Sequence, residues 1–361
     1  MDIKTRVKSA AELLQQIIAI PSLTFSEEGV ADFVYGYLTN RCKECGAELK
    51  IERFKNNIAL YLSSKVEGAR SVMFAAHLDT VPPSEGYSRD PYTSYCEEDK
   101  IYGLGSNDDG GSVVSMIETF FYFAQSGTSP VNIILALTAE EERSGADGIE
   151  LLLPNLDYRP DYVIVGEPTQ MKAAVAERGL LVLDCEAVGV SGHAARGEGV
   201  NALYIALEDI AKLRDYKFDR VSPMMGEVRL TVTQLECGTQ HNVIPDRAHF
   251  VVDIRPTELY TNSEIVDILQ HEVKSRLIPR NLKNRASATP SNGVLMSVIN
   301  SLGVESYISP TTSDWVRLPG YEAVKMGAGD SARSHRADEY ITLGEIEVAI
   351  EGYIKFVENI K

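Results

Sequence analysis

Between residues 8 and 20 apolar side chains recur at Ala11, Leu13, Leu14, Ile17 and Ile18, a helical stripe that Pro21 stops. A second helix is expected over 26–40. The stretches 57–63 (NIALYLS) and 71–76 (SVMFAA) read as strands, the second apolar enough to be buried on both faces. Residues 110–124 read as a helix entered from a glycine-rich turn. An apolar strand over 131–138, a helix near 145–153 and a strand over 162–165 follow. Alternating strands and helices imply an α/β layer with a mostly parallel sheet flanked by helices.

From about residue 175 the rhythm changes. A strand (180–189, LLVLDCEAVG), a helix (201–214), two strands (227–238 and 248–255) and a helix (263–277, SEIVDILQHEVKSRL) form an inserted α+β module. The α/β pattern then resumes with a helix over 294–302, a short strand over 322–327 and a final helix from about Gly344. The expected division is a catalytic domain in two parts, 1–173 and 287–361, around an insertion over 174–286.

Composition narrows the partners. A chain of 361 residues, 44% hydrophobic and 24% charged, suits a globular enzyme, and no apolar run approaches the roughly 20 residues that span a bilayer. The opening residues have polar side chains breaking their apolar positions, unlike a signal peptide. A net charge of −17 argues against nucleic acid or an anionic membrane as partner. The five cysteines, Cys42, Cys45, Cys96, Cys185 and Cys237, are odd in number and scattered, which fits a reducing cytoplasm. Cys42 and Cys45 form a lone CxxC, and a zinc site of that kind would want a second pair.

The candidate chemistry gathers at expected strand ends, where open parallel sheets collect ligands. SVMFAA runs into His77-Leu78-Asp79, a spacing that lets the aspartate hold the imidazole's second nitrogen; alone it fits a buried hydrogen-bonded pair equally well. Asp108 and Asp109 stand before two glycines and also suit a helix N-cap. Glu140, Glu141 and Glu142 follow the next strand, an acidic run that also suits a solvated loop. Glu167 follows the strand over 162–165, and His335 sits in a glycine-rich loop near the end of the chain. Four strands thus bring acids or histidine to one sheet edge. Mixed carboxylates and imidazoles suit zinc, with cobalt or manganese as substitutes, and crowding these acids without a cation is electrostatically costly.

The motifs HLDTVP, GSNDDGG, AEEERSG, GEPT, GHAA, HNVIPD, DIR and SHRADEY follow the order found in the acetylornithine deacetylase, succinyl-diaminopimelate desuccinylase and aminoacylase family. The chain resembles these co-catalytic zinc metallopeptidases over almost its whole length. The resemblance implies a zinc-peptidase-like catalytic domain with an inserted dimerisation or lid domain. It makes His77, Asp108, Glu142, Glu167 and His335 the ligands of two zinc ions, with Asp108 bridging and Asp79 orienting His77. Glu140 stands where the family has an aspartate, so Glu141 becomes the general base. His193 matches a histidine that reaches the partner subunit's active site in a homodimer; a helix-capping role is the alternative. Asn242 and Arg255 match substrate contacts, the arginine through the α-carboxylate. Asp253 reads as a strand residue, and His241, His249 and His271 as structural or surface groups.

Gly110 replaces a lysine often found at its place, and Tyr87 stands where the family has tryptophan. Trp315, the sole tryptophan, is expected to shape the pocket. Arg178 and Arg317 are read as either contacts to a second substrate carboxylate or surface charges. The implied reaction is deacylation of a small N-acyl amino acid. The closest branch acts on N-acetyl (or N-succinyl) ornithine or citrulline, in arginine biosynthesis. The alternative is a metallo-dipeptidase, carboxypeptidase or succinyl-diaminopimelate desuccinylase.

Overall fold

A computed structural model describes residues 2–360. The chain divides into two compact units. The first comprises Met1–Val175, Thr289–Tyr307 and Ser313–Lys361; the second comprises Ala176–Ala288 and Ile308–Thr312.

In the first unit the sheet order is Lys50–Phe54, Asn57–Leu62, Asn132–Thr138, Ser71–His77, Tyr162–Val165, Glu322–Lys325, Ala173–Glu177. Ser71–His77 is parallel to both its neighbours, and Glu322–Lys325 is parallel to Tyr162–Val165. Every residue of Ser71–His77 is buried because both faces are covered. Val72, Phe74 and Ala76 pack with the helices Ile3–Ile18, Gly110–Ser126 and Leu343–Glu358, whose Tyr353 ring lies 5.3 Å from that of Phe74. Met73 and Ala75 face the opposite layer with Ile149, Leu152 and Trp315. From Ser71–His77 the chain returns on one side as Asn132–Thr138 and later on the other as Tyr162–Val165. That reversal opens a crevice at the carboxyl end of the central strand, beside His77.

Several expectations are corrected here. The strand before Asp108 is not part of this sheet: Lys100–Tyr102 belongs to a small sheet with Tyr95–Glu97 and Tyr340–Thr342. Three strands of the main sheet, not four, therefore end at the crevice. The helix expected from 145 begins only at Ile149, because Gly145 and Gly148 hug the Glu140 side chain and the Ala139 carbonyl. Trp315 is core, 3% exposed in the layer with Met73 and Ala75.

The second unit is an antiparallel sheet in the order Arg229–Cys237, Arg247–Arg255, Leu181–Val188, Arg276–Pro279. Burial alternates along Leu181–Val188, so one face packs on the helices Ala202–Asp215 and Asn262–Glu272. The second helix starts in a capping box of Thr261 and Glu264 and ends at Glu272, short of the expected 277. Val273 is already extended and Arg276–Pro279 continues as a strand. Among the described residues no helix is long and apolar enough to cross a membrane.

Candidate metal centre

His77 is 3% exposed at the end of its strand. Its Nδ1 lies 2.9 Å from the backbone carbonyl of Asp79. Donation there fixes the tautomer and turns the Nε2 lone pair toward the acids. Asp79 orients the ring chiefly through that carbonyl, its carboxylate being 3.5 Å from Nδ1. The carboxylate itself accepts from Thr24 Oγ1 (2.9 Å) and from the backbone N–H groups of Glu141 (3.0 Å) and Glu142 (3.2 Å). One aspartate therefore ties the histidine strand to the glutamate turn.

Asp108 precedes the helix Gly110–Ser126 and is joined to Asp109, the helix N-cap, by a cis peptide. Its loop is gathered by Glu339, whose carboxylate accepts the N–H groups of Gly105 (3.1 Å), Asn107 (2.9 Å) and Asp108 (2.8 Å). A Cβ at Gly110 would stand 2.4 Å from the Gly105 carbonyl oxygen, which explains why no lysine occupies this place. Asp108 Oδ1 lies 3.3 Å from His77 Nε2, and its Oδ2 lies 3.6 Å from His335 Nε2. The two histidines, 258 positions apart in the chain, thus face opposite oxygens of one carboxylate.

The glutamates sit on the one-turn helix Glu141–Arg143, bracketed by left-handed residues Glu140 and Ser144. This backbone turns Glu140 away from the crevice, where it accepts from the Asp147 N–H at 3.0 Å. Glu141 and Glu142 turn in. Glu142 Oε1 is 3.1 Å from His335 Nε2, and Glu141 Oε2 is 4.0 Å from His77 Nε2. Glu167 follows Gly166, at which a Cβ would press to 2.7 Å from Ser112. Ligating atoms of His77, Asp108 and Glu142 lie within 4.8 Å of one another, as do those of His77, Glu141 and Glu167. This donor set of imidazole nitrogens and carboxylate oxygens fits zinc.

The electrostatics agree. Burial, then neighbouring acids, pushes Glu141 and Glu167 well above the usual carboxylate range. Asp109 is pushed up to about 7 by burial and Asp108. His77 is raised well above its ordinary value, hydrogen bonds to Asp108 and Asp79 outweighing the opposing effect of burial. His335 is raised to about 9, first by its bond to Glu142. A buried ammonium, Lys325, lies near Glu167, but the acids outnumber it, and divalent cations would supply the remaining positive charge.

Three participants escaped sequence reasoning. Glu339 gathers the Asp108 loop and is raised to about 8 by burial and Asp108. Asp314, buried against Thr138 Oγ1 at 2.9 Å, is raised to about 7 by burial. Glu27 accepts the N–H of Phe25 (2.8 Å) and of Glu140 (3.2 Å). Glu339 alone had a signal, as an acid inside SHRADEY.

The other expected site residues lie in the second unit. His193 Nδ1 accepts from the Ala195 N–H at 3.2 Å, so the capping role is present and Nε2 is the other ring nitrogen. His193 pairs with Val243, placing it beside the exposed Asn242. Arg255 directs its fork onto Asp253, at 2.8 and 3.0 Å. His241, His249 and His271 are exposed. Arg178 and Arg317 are not surface charges: they are 6% and 8% exposed, and Arg317 donates to the Ser144 carbonyl at 2.8 Å. Cys42 and Cys45 lie in the helix Glu28–Cys45 as free thiols packed against the core, and burial raises Cys42 to about 11.

Residues 73–359 match the model of peptidase family M20/M25/M40. The chain is 29% identical to an acetylornithine deacetylase of Proteus mirabilis, over 96% of each chain. It is 24% identical to a succinyl-diaminopimelate desuccinylase of Orientia tsutsugamushi, over 96% of this chain and 95% of that one. Among solved structures, a tripeptidase from Staphylococcus aureus superposes with a TM-score of 0.78 at 17% identity, covering 99% of this chain and 98% of the other. A dinuclear metal-binding peptidase of the M20 family from Bacillus subtilis gives 0.73 at 12%, covering 98% of each.

Proposed function

Because the chain belongs to peptidase family M20/M25/M40, whose members hydrolyse amide bonds, we propose that it is a two-zinc deacylase of small N-acyl amino acids. The observation that carries this reading is Asp108 set between the two imidazoles, with Glu141 turned into the same crevice. His77, Asp108, Glu142, Glu167 and His335 would hold the ions, the two histidines facing opposite oxygens of Asp108. The ions, when bound, supply Lewis acidity and bring the attacking water within reach of a base near neutral pH.

The remaining steps belong to side chains. Glu141, fixed by the Asp79 carboxylate through its backbone N–H, takes the proton from the attacking water and returns it to the leaving amine. His193 of the partner subunit donates to the oxygen that becomes negative as the carbonyl is attacked. Asn242 and Arg255 hold the amino-acid carboxylate; to receive it, Arg255 gives up its fork to Asp253. The second unit exposes Val188, Tyr204, Leu207 and Leu235, apolar surface of the kind a second copy covers, which supports the homodimer.

The proposed substrate is N-acetyl or N-succinyl ornithine or citrulline, in arginine biosynthesis in the cytoplasm. Support comes from the 29% identity to an acetylornithine deacetylase. The desuccinylase relative and the tripeptidase-like fold favour N-succinyl-diaminopimelate or a peptide as the second reading. A hydrolysis screen with zinc- or cobalt-loaded protein, following free amine, separates them. Release from N-acyl ornithine or citrulline is expected. Turnover confined to dipeptides or to N-succinyl-diaminopimelate would move the assignment to the second reading.

A further inference from the structure

The second unit holds a cavity of about 490 Å³ that the reaction above does not use. Arg178, Arg214, Lys217 and Arg229 line it, together with Phe218 and a single acid, Glu227. On a chain of net charge −17 such a concentration of cations is out of keeping with the whole. We propose that this cavity is an anion site that takes a small multivalent oxyanion against Arg178.

Arg178 is 6% exposed, and its guanidinium donates only to backbone carbonyls: Glu227 at 2.7 Å, Arg255 at 3.4 Å and Met225. These acceptors satisfy hydrogen bonds but carry no charge. Among the described residues no carboxylate lies within ion-pair distance of it. A buried cation without a counter-charge is costly. Burial, and then the nearby Arg229, lower its pKa; Glu258, which accepts from Ser222 Oγ at 2.5 Å, opposes them only in part. The rim is different: Lys217 pairs with Glu227 at 3.2 Å and Arg214 with Asp215 at 2.7 Å. The uncompensated charge is therefore that of Arg178 and Arg229, and an oxyanion entering the cavity meets both. Gly226 forms part of the wall with φ +74°, and a Cβ there would stand 4.0 Å from Arg178 Nη2, so the left-handed turn keeps the chain close to the guanidinium. A phosphate-like group and a dicarboxylate share the required chemistry.

The test is calorimetric titration of the metal-loaded protein with sulfate and, separately, succinate at constant ionic strength. It is repeated on the variant Arg229→Gln. Wild-type protein should bind one of the two, sulfate marking a phosphate-like group and succinate a dicarboxylate. The variant should lose about tenfold in affinity, the worth of one charge-assisted hydrogen bond, while its hydrolysis rate is unchanged. Arg178→Gln would remove binding too, but its loss of three carbonyl contacts endangers the fold, so the exposed Arg229 carries the test. No binding of either anion up to about 10 mM, or equal affinity in Arg229→Gln, would overturn the site and leave Arg178 as a staple of the turn around Met225.

Discussion

The first unit buries acids in two places and treats them in opposite ways. Glu118, on the helix Gly110–Ser126, is fully buried between Arg6 at 3.2 Å and Arg41 at 2.8 Å, with Ser9 Oγ donating at 2.8 Å. At the crevice, Asp108, Glu141, Glu142 and Glu167 crowd together with imidazoles as their contacts. The chain provides guanidinium charge where a buried acid serves only packing. At the strand ends it provides imidazole nitrogens and one buried ammonium, Lys325, near Glu167, which the acids outnumber, and it leaves the remaining positive charge to come from outside. A shortage of internal cations around buried carboxylates is thus the sign that separates a metal centre from a structural ion cluster.

The largest effect should come from Glu141→Ala. Its turnover should fall by about 10²–10⁴-fold with metal content retained, measured by initial rates and elemental analysis of the same sample. A variant keeping more than about a hundredth of the rate would place the base elsewhere. Glu118→Gln should instead cost about 3–5 kcal/mol in denaturant unfolding, because it strands two buried guanidinium groups, while turnover per folded molecule stays unchanged. An effect on metal content would erase the contrast between the clusters.

Stability of the metal-free protein should fall as pH rises from about 4 to about 9. Asp109 and Asp314 at about 7, Glu339 at about 8 and His335 at about 9 all hold protons in the folded state that the unfolded chain releases at lower pH. Each contribution is complete below the unfolded value and is lost as pH passes the folded one. Metal loading should flatten this slope in thermal melts. The smallest effect is a gain: Glu167→Gln in metal-free protein at pH 8 should add up to about 1 kcal/mol, the repulsion from Asp108 outweighing the attraction of the buried Lys325. A loss there would mean that the protein already compensates this carboxylate.

Much of the fold was legible because its signals are local. The continuous burial of Ser71–His77 and the Pro21 stop after Ile3–Ile18 could be read from residue types. The helix expected to 277 failed because Val273 and Leu277 stand four apart, a spacing that suits a helix as well as the alternation 275, 277 of a strand. The site residues inside motifs were legible through resemblance to a known pattern. The left-handed Glu140 then shows which two glutamates of the run turn inward, which composition alone left open. Glu27 and Asp314 were illegible because their roles come from long-range hydrogen bonds that leave no periodicity. Trp315 misled for the same reason: proximity to a motif in sequence did not decide which face of the sheet it packs against.

The most direct test counts cations. Equilibrium dialysis against zinc, read by elemental analysis, should give two ions per chain in the wild type, about one in His335→Ala, and essentially none in Asp108→Asn, since that carboxylate faces both histidines. Two ions retained in Asp108→Asn, or none bound by the wild type, would contradict the account.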